Sequence, residues 1–169
     1  SDLSNPVTII DSTSKFTHYV DRAKELEMKA IAFTEHGNAF SWVKKKEYIE
    51  KQGMKFIFGI EMYMTKSLKE KIRDNYHVCL YAKNWSGVQE LLKLITKTYN
   101  REDGHYYYVP RMTFKEFKGL SDNILFSTAC LGGLLASDDE ELKQEFIKHM
   151  IANKDRCWLE VQHHQDKDQ

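Results

Sequence analysis

A histidine at the end of a short apolar run is the first residue of this chain whose type and setting point to chemistry. The stretch AIAFTEHGN, residues 30–38, places His36 after a predicted buried strand and before a predicted Gly-Asn turn. In α/β folds, sites are built where strands end. Imidazole is the commonest metal ligand, so His36 is a candidate ligand, although a single histidine here is more often a hydrogen-bonding loop residue.

Three further ligand-type side chains lie at or near other predicted strands. Glu61 follows the apolar run FIFGI, His77 lies within YHVCL, and Cys130 comes shortly after ILFS. A carboxylate seldom follows an apolar run unless the strand end meets water, a partner or a metal. Taken singly, each has an ordinary interpretation: a solvated strand end, a core histidine, a buried thiol. Their recurrence in successive units predicts that they converge with His36 on one metal site.

Cys130 has an alternative role, and two other segments have candidate roles of their own. Cys130 would be a nucleophile only with a nearby base, which His36 or His77 could supply. Asp11, ahead of the first predicted helix, has the ordinary interpretation of a helix N-terminal residue. The run Lys44-Lys45-Lys46 is interpreted as a solvated helix face, with phosphate contact as the minor alternative.

Composition bounds the class of protein. The chain has 169 residues, 41% of them hydrophobic and 12% aromatic, which suits one packed domain or part of one. The formal net charge is zero, which argues against a general electrostatic nucleic-acid clamp. A nuclease site remains compatible with that charge, because bound metal ions would supply the positive charge.

Cysteine usage and hydropathy indicate the compartment. The three cysteines show no CxxC spacing, which argues against a disulfide framework and against a closed zinc knuckle. The thiols fit a reducing cytosol, and neither a membrane-span pattern nor a signal-peptide pattern is visible. We therefore expect a cytoplasmic protein without membrane association. The polar start of the chain suggests a sequence cut inside a domain.

Strands and helices alternate along most of the chain. The predicted helices are 15–27, 40–52, 85–100, 113–117 and 139–153, the predicted strands are 30–33, 54–63, 76–82, 124–127 and 157–161, and 65–75 and 101–111 are predicted as loops or short pieces. This alternation predicts parallel strands with right-handed crossovers. A doubly wound sheet and a (β/α) barrel both remain open, but no glycine-rich dinucleotide fingerprint follows a strand.

Several motifs together resemble the polymerase-and-histidinol-phosphatase (PHP) domain of bacterial DNA polymerase III alpha subunits. AFTEHGN (32–38) resembles A-x-T-D-H-G-N, with Glu35 in place of the usual Asp, and FGIEMY (58–63) resembles G-x-E-x-Y. YHVCLYAKN (76–84), YYVPR (107–111) and STACLGG (127–133) are similar to Y-H-L-x-L-x-A-K-N, Y-x-x-P-R and S-A-C-L-G-G. Each motif is weak alone, but five of them in the family's order are specific for this family.

The resemblance implies a distorted (β/α)7 barrel with up to three metal ions. By that resemblance Asp11, His36, Glu61, His77 and Cys130 are the metal ligands, and Arg111 is a candidate phosphate clamp. The family's H-x-H pair would fall before Ser1, and its late D-x-H pair is absent. Residues 1–169 are therefore interpreted as a PHP domain fragment. His163 and His164 match a strand motif that is not a ligand motif.

Three functions follow from the resemblance. The first is a metal-dependent phosphoesterase, a 3′-5′ exonuclease module of a replicative DNA polymerase, with zinc or manganese as the cofactor and magnesium for the parent polymerase. The second is a non-catalytic scaffold that supports the polymerase or binds a proofreading subunit. The third is a stand-alone phosphatase. DNA, through the parent polymerase, and other replisome subunits are the expected partners.

The missing motifs weaken the site in this fragment. We expect the five ligands to converge, the metal site to fill partly or not at all, and residues 1–169 to have no measurable exonuclease activity.

Overall fold

The computed structural model describes residues 14–162 and shows a mixed α/β fold. The helices are α1 (Phe16–Glu25), α2 (Trp42–Lys51), α3 (Trp85–Thr98), α4 (Phe114–Lys118) and α5 (Glu140–Ala152), with a 3-10 turn at Leu134–Ala136. The strands are β1 (Ala30–His36), β2 (Lys55–Thr65), β3 (Tyr76–Ala82), β4 (Tyr106–Tyr107), β5 (Val109–Thr113), β6 (Ile124–Ser127) and β7 (Cys157–Trp158). Every predicted helix and strand is present. The last strand is shorter than predicted, and the predicted loop 101–111 contains β4 and the start of β5.

Strand β2 is the centre of the sheet. The strand order is β4-β5-β2-β3-β6-β7, and β1 also pairs with β2. β1 pairs in parallel with the first part of β2, from Lys55 to Glu61, and β5 pairs in parallel with the last part, from Tyr63 to Thr65. β3 occupies the other edge. The length of β2 thus lets two strands lie in tandem along one edge.

The prediction of an all-parallel sheet is wrong. β3 runs antiparallel to both β2 and β6, and β4 runs antiparallel to β5. A parallel connection needs a crossover, usually a helix, whereas residues 66–75 between β2 and β3 contain no helix. Reversal of β3 is therefore the physical result of that helix-free connection. The remaining strands of the main sheet run in the same direction as β2.

The predicted (β/α)7 barrel is not confirmed. Within residues 14–162, β7 pairs with β6 alone, and neither β1 nor β4 closes the sheet against it. The described part of the chain is an open, mixed seven-stranded sheet.

The sheet has one apolar face and one polar face, because side chains alternate along each strand. On β2, Phe58, Ile60, Met62 and Met64 belong to the main core, which they share with residues of α3, α4 and α5. Glu61 and Tyr63 occupy the alternate positions of the strand and therefore belong to the other face. The ligand candidate on β2 is thus held on the face opposite the main core.

Helices α1 and α2 pack on a second, smaller core. Val20 and Ile49 are fully buried there, together with Phe33 of β1. Lys45, which the sequence placed on a solvated face, is 1% exposed and makes a salt bridge to Glu35 of β1. The prediction for Lys45 is wrong, because its position on α2 faces β1 rather than solvent.

Side-chain caps define three of the helix starts, and at the start of α5 Asp139 accepts a hydrogen bond from the backbone N–H of Leu142. Asn84 accepts a hydrogen bond from the backbone N–H of Gly87 at the start of α3, and Thr113 forms a reciprocal capping box with Glu116 at the start of α4. Among the helices between residues 14 and 162, none has the length and apolar character needed to cross a membrane.

Candidate metal centre

Three strands bring the candidate ligands to one edge of the sheet. His36 is the last residue of β1 and is paired in register with Glu61 near the end of β2. His77 is the second residue of β3 and is paired with Tyr63. Because β3 is antiparallel, its beginning meets the end of β2. The sequence predicted convergence from parallel strand ends, and His36, Glu61 and His77 lie close together although this strand is reversed.

The Glu61 carboxylate lies between two histidines. Its Oε1 atom is 3.2 Å from Nδ1 of His77, and its Oε2 atom is 3.2 Å from Nε2 of His36. The Glu61 side chain is 11% exposed, whereas the side chains of His36 and His77 are 36% and 29% exposed. The carboxylate therefore forms the floor of the site, and the two rings form its walls toward solvent.

Cys130 reaches the same site from the turn after β6. Its Sγ atom lies 3.3 Å from Nδ1 of His77, and the backbone N–H of Gly132 donates to the same sulfur at 3.4 Å. The preceding residue, Ala129, has a left-handed φ of 56°, which bends the chain sharply at the strand end. This turn directs the thiol toward the histidine.

Gly132 makes room for the His77 ring. A Cβ atom at position 132 would lie 2.9 Å from Nδ1 of His77, closer than real Cβ contacts. The backbone N–H of His77 also donates to the carbonyl of Gly132 at 2.9 Å. The glycine-containing turn thus fixes the histidine backbone and leaves space beside the ring nitrogen that faces Glu61 and Cys130.

The donor set fits a divalent cation. One ligand atom each from Glu61, His77 and Cys130 lies within 4.8 Å of the others, which brings an oxygen, a nitrogen and a sulfur together. Imidazole, carboxylate and thiolate are the zinc-binding groups of proteins. His36 extends the group through its contact with the second oxygen of Glu61. Glu61, His77 and Cys130 could hold a metal together, and His36 lies beside them through Glu61.

The surroundings of Glu61 favour its ionised form. Burial by itself raises the pKa of this carboxyl group, but the hydrogen bond and charge of His77, the charge of His36 and the hydroxyl of Tyr63 together lower the pKa below its ordinary value. The side chain is therefore a carboxylate at neutral pH, which is the form that binds a cation.

Tyr63 is a site residue that the sequence reasoning did not single out. Its hydroxyl donates to Oε2 of Glu61 at 3.2 Å, and its ring meets the His77 ring edge to face with centroids 5.0 Å apart. The signal was available, because residues two apart on a strand share a face, so Tyr63 must lie beside Glu61. Tyr63 positions both side chains.

Arg111 lies inside the protein rather than in the site. Its side chain is 1% exposed and donates to the carbonyls of Ile72 at 2.9 Å and Gly104 at 2.8 Å. The guanidinium ties two loops to β5, and nothing in this arrangement presents it to a phosphate. Asp11, His163 and His164 lie outside the described residues.

Comparison with known proteins identifies related sequences. The model of the PHP domain family matches residues 5–164 of this chain. The chain is 35% identical over 173 aligned residues to the DNA polymerase III subunit alpha of Borreliella burgdorferi, covering 96% of this chain and 15% of that protein. The same subunit of Helicobacter pylori is 29% identical, covering 99% of the chain and 15% of that protein. The chain thus spans about a seventh of the length of these relatives.

A third relative and a solved structure extend the comparison. The DNA polymerase III subunit alpha of Aquifex aeolicus is 32% identical over 86% of this chain and 14% of that protein. A crystal structure from Bifidobacterium adolescentis, described as a candidate metal-dependent phosphoesterase, superposes with a TM-score of 0.39 at 19% identity. It covers 52% of this chain and 29% of that one, which is too partial an overlap to support an argument.

Proposed function

This chain belongs to the PHP domain family, and we propose that it is the PHP domain of a DNA polymerase III alpha subunit, a DNA-directed DNA polymerase of replication. We further propose that its metal centre hydrolyses phosphodiesters, removing nucleotides from a 3′ end. The observation that carries this proposal is the Glu61 carboxylate, which lies 3.2 Å from a nitrogen of His36 and 3.2 Å from a nitrogen of His77.

The proposed ligands are Asp11, His36, Glu61, His77 and Cys130. Four of them are in mutual contact or share Glu61 as a partner, which supports the assignment. Asp11 is included because its position in the sequence matches the family's early aspartate. Zinc or manganese suits the mixed nitrogen, oxygen and sulfur donors, with magnesium a candidate for the polymerase centre of the whole subunit.

A divalent cation in this site would neutralise charge on a phosphate and lower the pKa of a water molecule. The protein's own contribution is to hold the donors in place. Tyr63 donates to Glu61 and packs on His77, so neither side chain is free to rotate without losing a contact. Gly132 keeps the space beside His77 open. Such supporting residues commonly change metal affinity or activity 10- to 100-fold, roughly.

Residues 1–169 are proposed to contain the middle of the site without its two ends. This sequence contains no H-x-H pair, and no D-x-H pair occurs in it after residue 105. A metal that lacks these ligands would be held too loosely for hydrolysis. We therefore expect no measurable exonuclease activity from residues 1–169 and less than full metal occupancy. Stoichiometric, tight binding of three metal ions to residues 1–169 would contradict this.

The proposed partners are DNA, contacted through the polymerase, and other subunits of the replisome, in the cytoplasm. The chain's zero net charge indicates that broad electrostatic attraction is not how this domain would meet DNA. Contact would depend on the metal centre and on local groups around it.

The test uses the intact alpha subunit that contains this domain. Degradation of a 3′-labelled single strand is measured with added manganese or zinc for the natural protein, for His36→Ala and for His77→Ala. His18→Ala is the matched control, since His18 is an exposed residue of α1. We expect both site variants to lose degradation while primer extension is retained.

The same experiment addresses the scaffold hypothesis. If the intact subunit degrades the strand equally well after both substitutions, His36 and His77 are structural and the hydrolytic proposal fails. Loss of primer extension together with degradation would indicate misfolding, so the thermal unfolding midpoint of each variant is measured alongside.

A further inference from the structure

The tip of the β4–β5 hairpin has an unusual residue for its backbone. Tyr107 pairs with Val109, so Tyr108 alone makes the turn between the strands. Tyr108 has a φ of 62°, a left-handed conformation that favours glycine and is uncommon for a bulky residue. Tyr108 is nevertheless 61% exposed, so burial of the ring does not compensate for the free-energy cost of this backbone conformation. Such strain, where it persists, is found at functional sites.

Arginines lie over the tyrosine rings of this hairpin. The guanidinium carbon of Arg73 is 4.4 Å from the ring centre of Tyr108, and that of Arg101 is 4.3 Å from the ring centre of Tyr106. Both arginines are exposed. The ring of Tyr107 also packs edge to face against the ring of Tyr108, with the ring centroids 4.7 Å apart. The surface thus carries two guanidinium groups, each over a tyrosine ring, and the more exposed of these rings belongs to Tyr108.

The hairpin is attached beside the metal centre. Pro110, two residues after Tyr108, packs against Gly37, where a Cβ atom would lie 2.4 Å from the proline ring. Gly37 directly follows the ligand candidate His36, and the same contact includes the ring of Tyr63. Tyr108 is thus separated from His36 by two residues of β5, the packing contact and one residue of the turn.

We propose that Tyr108, Arg73 and Arg101 form a binding platform for single-stranded nucleic acid. This proposal rests on the proposed hydrolytic function and adds a surface that would bind its substrate. A nucleobase would stack on the exposed ring of Tyr108 in place of the Arg73 guanidinium, and the two arginines would contact neighbouring phosphates. Aromatic stacking and arginine contacts are the usual means of binding single strands without sequence preference. A local platform also accounts for recognition by a chain with no net charge.

The platform is tested by binding, without hydrolysis. The anisotropy of a fluorescein-labelled 12-nucleotide oligo-dT is measured with residues 1–169 in EDTA at low salt, for the natural chain, Tyr108→Gly, Tyr108→Phe and Arg73→Ala. Glycine suits the left-handed turn, so Tyr108→Gly removes the ring without adding strain. Tyr19→Ala, at a 48% exposed tyrosine of α1, is the matched control.

We expect Tyr108→Gly to weaken oligonucleotide binding by about fivefold or more, since stacking contributes roughly 1–3 kcal/mol per base. Arg73→Ala should also weaken it and reduce its salt dependence, while Tyr108→Phe and Tyr19→Ala should bind like the natural chain. Equal binding by Tyr108→Gly and Tyr108→Phe would overturn the platform, and so would natural-chain binding too weak to measure, as expected if the tip binds a protein instead.

The two proposals can fail separately. Binding that depends on Tyr108 in EDTA, together with degradation that is insensitive to His77→Ala in the intact subunit, would retain the platform and reject hydrolysis. Binding that does not depend on Tyr108, together with degradation that is lost in His77→Ala, would retain hydrolysis and reject the platform.

Discussion

Nδ1 of His77 lies 3.2 Å from Oε1 of Glu61, although the two residues belong to strands that run in opposite directions. His77 is near the start of β3 and Glu61 is near the end of β2, so reversal of β3 brings the histidine to the edge of the sheet where β1 and β2 end. A parallel β3 would carry His77 to the opposite edge. The helix-free connection 66–75 therefore allows His77 to join the candidate metal centre.

The space beside this nitrogen leads to a first prediction. Gly132→Ala would put a Cβ atom 2.9 Å from Nδ1 of His77, so the ring must move although no ligand is removed. We expect zinc affinity to fall by roughly tenfold or more, as measured by competition with a zinc-binding dye. Gly119→Ala is the control, because its nearest neighbour would be 3.4 Å away. Equal affinities in the two variants would show that the His77 ring does not bind the metal.

A second prediction concerns pH and Glu116, which caps α4. Burial alone raises the pKa of this carboxyl group, but Lys97, the Thr113 backbone N–H and hydroxyl and His105 together lower the pKa to about 2. A lowered native pKa stabilises the fold above the unfolded pKa of about 4.5, and this stabilisation is lost as pH falls toward 2. The stabilisation amounts to about 3 kcal/mol.

The measurement is urea unfolding of the natural chain and of Glu116→Gln between pH 7 and pH 2. The variant should be less stable by about that amount at pH 7, and the difference should shrink below pH 4.5. Glu145→Gln, which removes an exposed partner of Lys118, should change stability by less than about 1 kcal/mol. A difference for Glu116→Gln that is constant with pH would refute the electrostatic explanation.

Periodicity located the secondary structure well and the strand directions poorly. β3 and β6 were predicted at their observed bounds, because each is a short apolar run between polar segments. Direction depends on whether a connection contains a crossover helix, and the charged segment 65–75 was compatible with a short helix or with a loop. Pairing of the two-residue strand β4 was outside the reach of any sequence pattern.

The clustering of four of the five predicted ligands could be predicted from the sequence, whereas the positions of two buried basic side chains could not. His36, Glu61, His77 and Cys130 were identified from their positions near strand ends, and they meet in the structure. Arg111 matched a family motif, but a motif does not say whether a side chain faces a cavity or the protein interior. Lys45 was misassigned for a related reason, because three consecutive lysines on a helix must point in three directions.

A third prediction follows from the buried salt bridge between Lys45 and Glu35. Their side chains are 1% and 4% exposed, and burial raises the pKa of Glu35 against the opposing effect of Lys45. Lys45→Met would leave an unpaired buried carboxyl group and should cost about 3 to 5 kcal/mol of unfolding free energy. Lys44→Met, at an exposed neighbour, should be nearly neutral. Similar unfolding midpoints in urea for the two variants would show that the pair is not needed for stability.

The last prediction separates two costs at Gly37, the residue that joins the metal centre to the β4–β5 hairpin. Gly37 has a φ of 65° and Gly53 has a φ of 79°, so alanine at either position is strained by the backbone alone. At Gly53 the added Cβ atom would have nothing within 4 Å, whereas at Gly37 it would lie 2.4 Å from Pro110.

Thermal unfolding of Gly53→Ala therefore measures the backbone cost, and the additional destabilisation of Gly37→Ala measures the clash with the hairpin. We expect Gly37→Ala to be less stable than Gly53→Ala by about 1 to 3 kcal/mol, the usual cost of overpacking. Because Pro110 must move to relieve the clash, Gly37→Ala should also weaken oligo-dT binding, and Gly53→Ala should not. Equal stability of the two variants would show that the hairpin is not packed against the turn after His36.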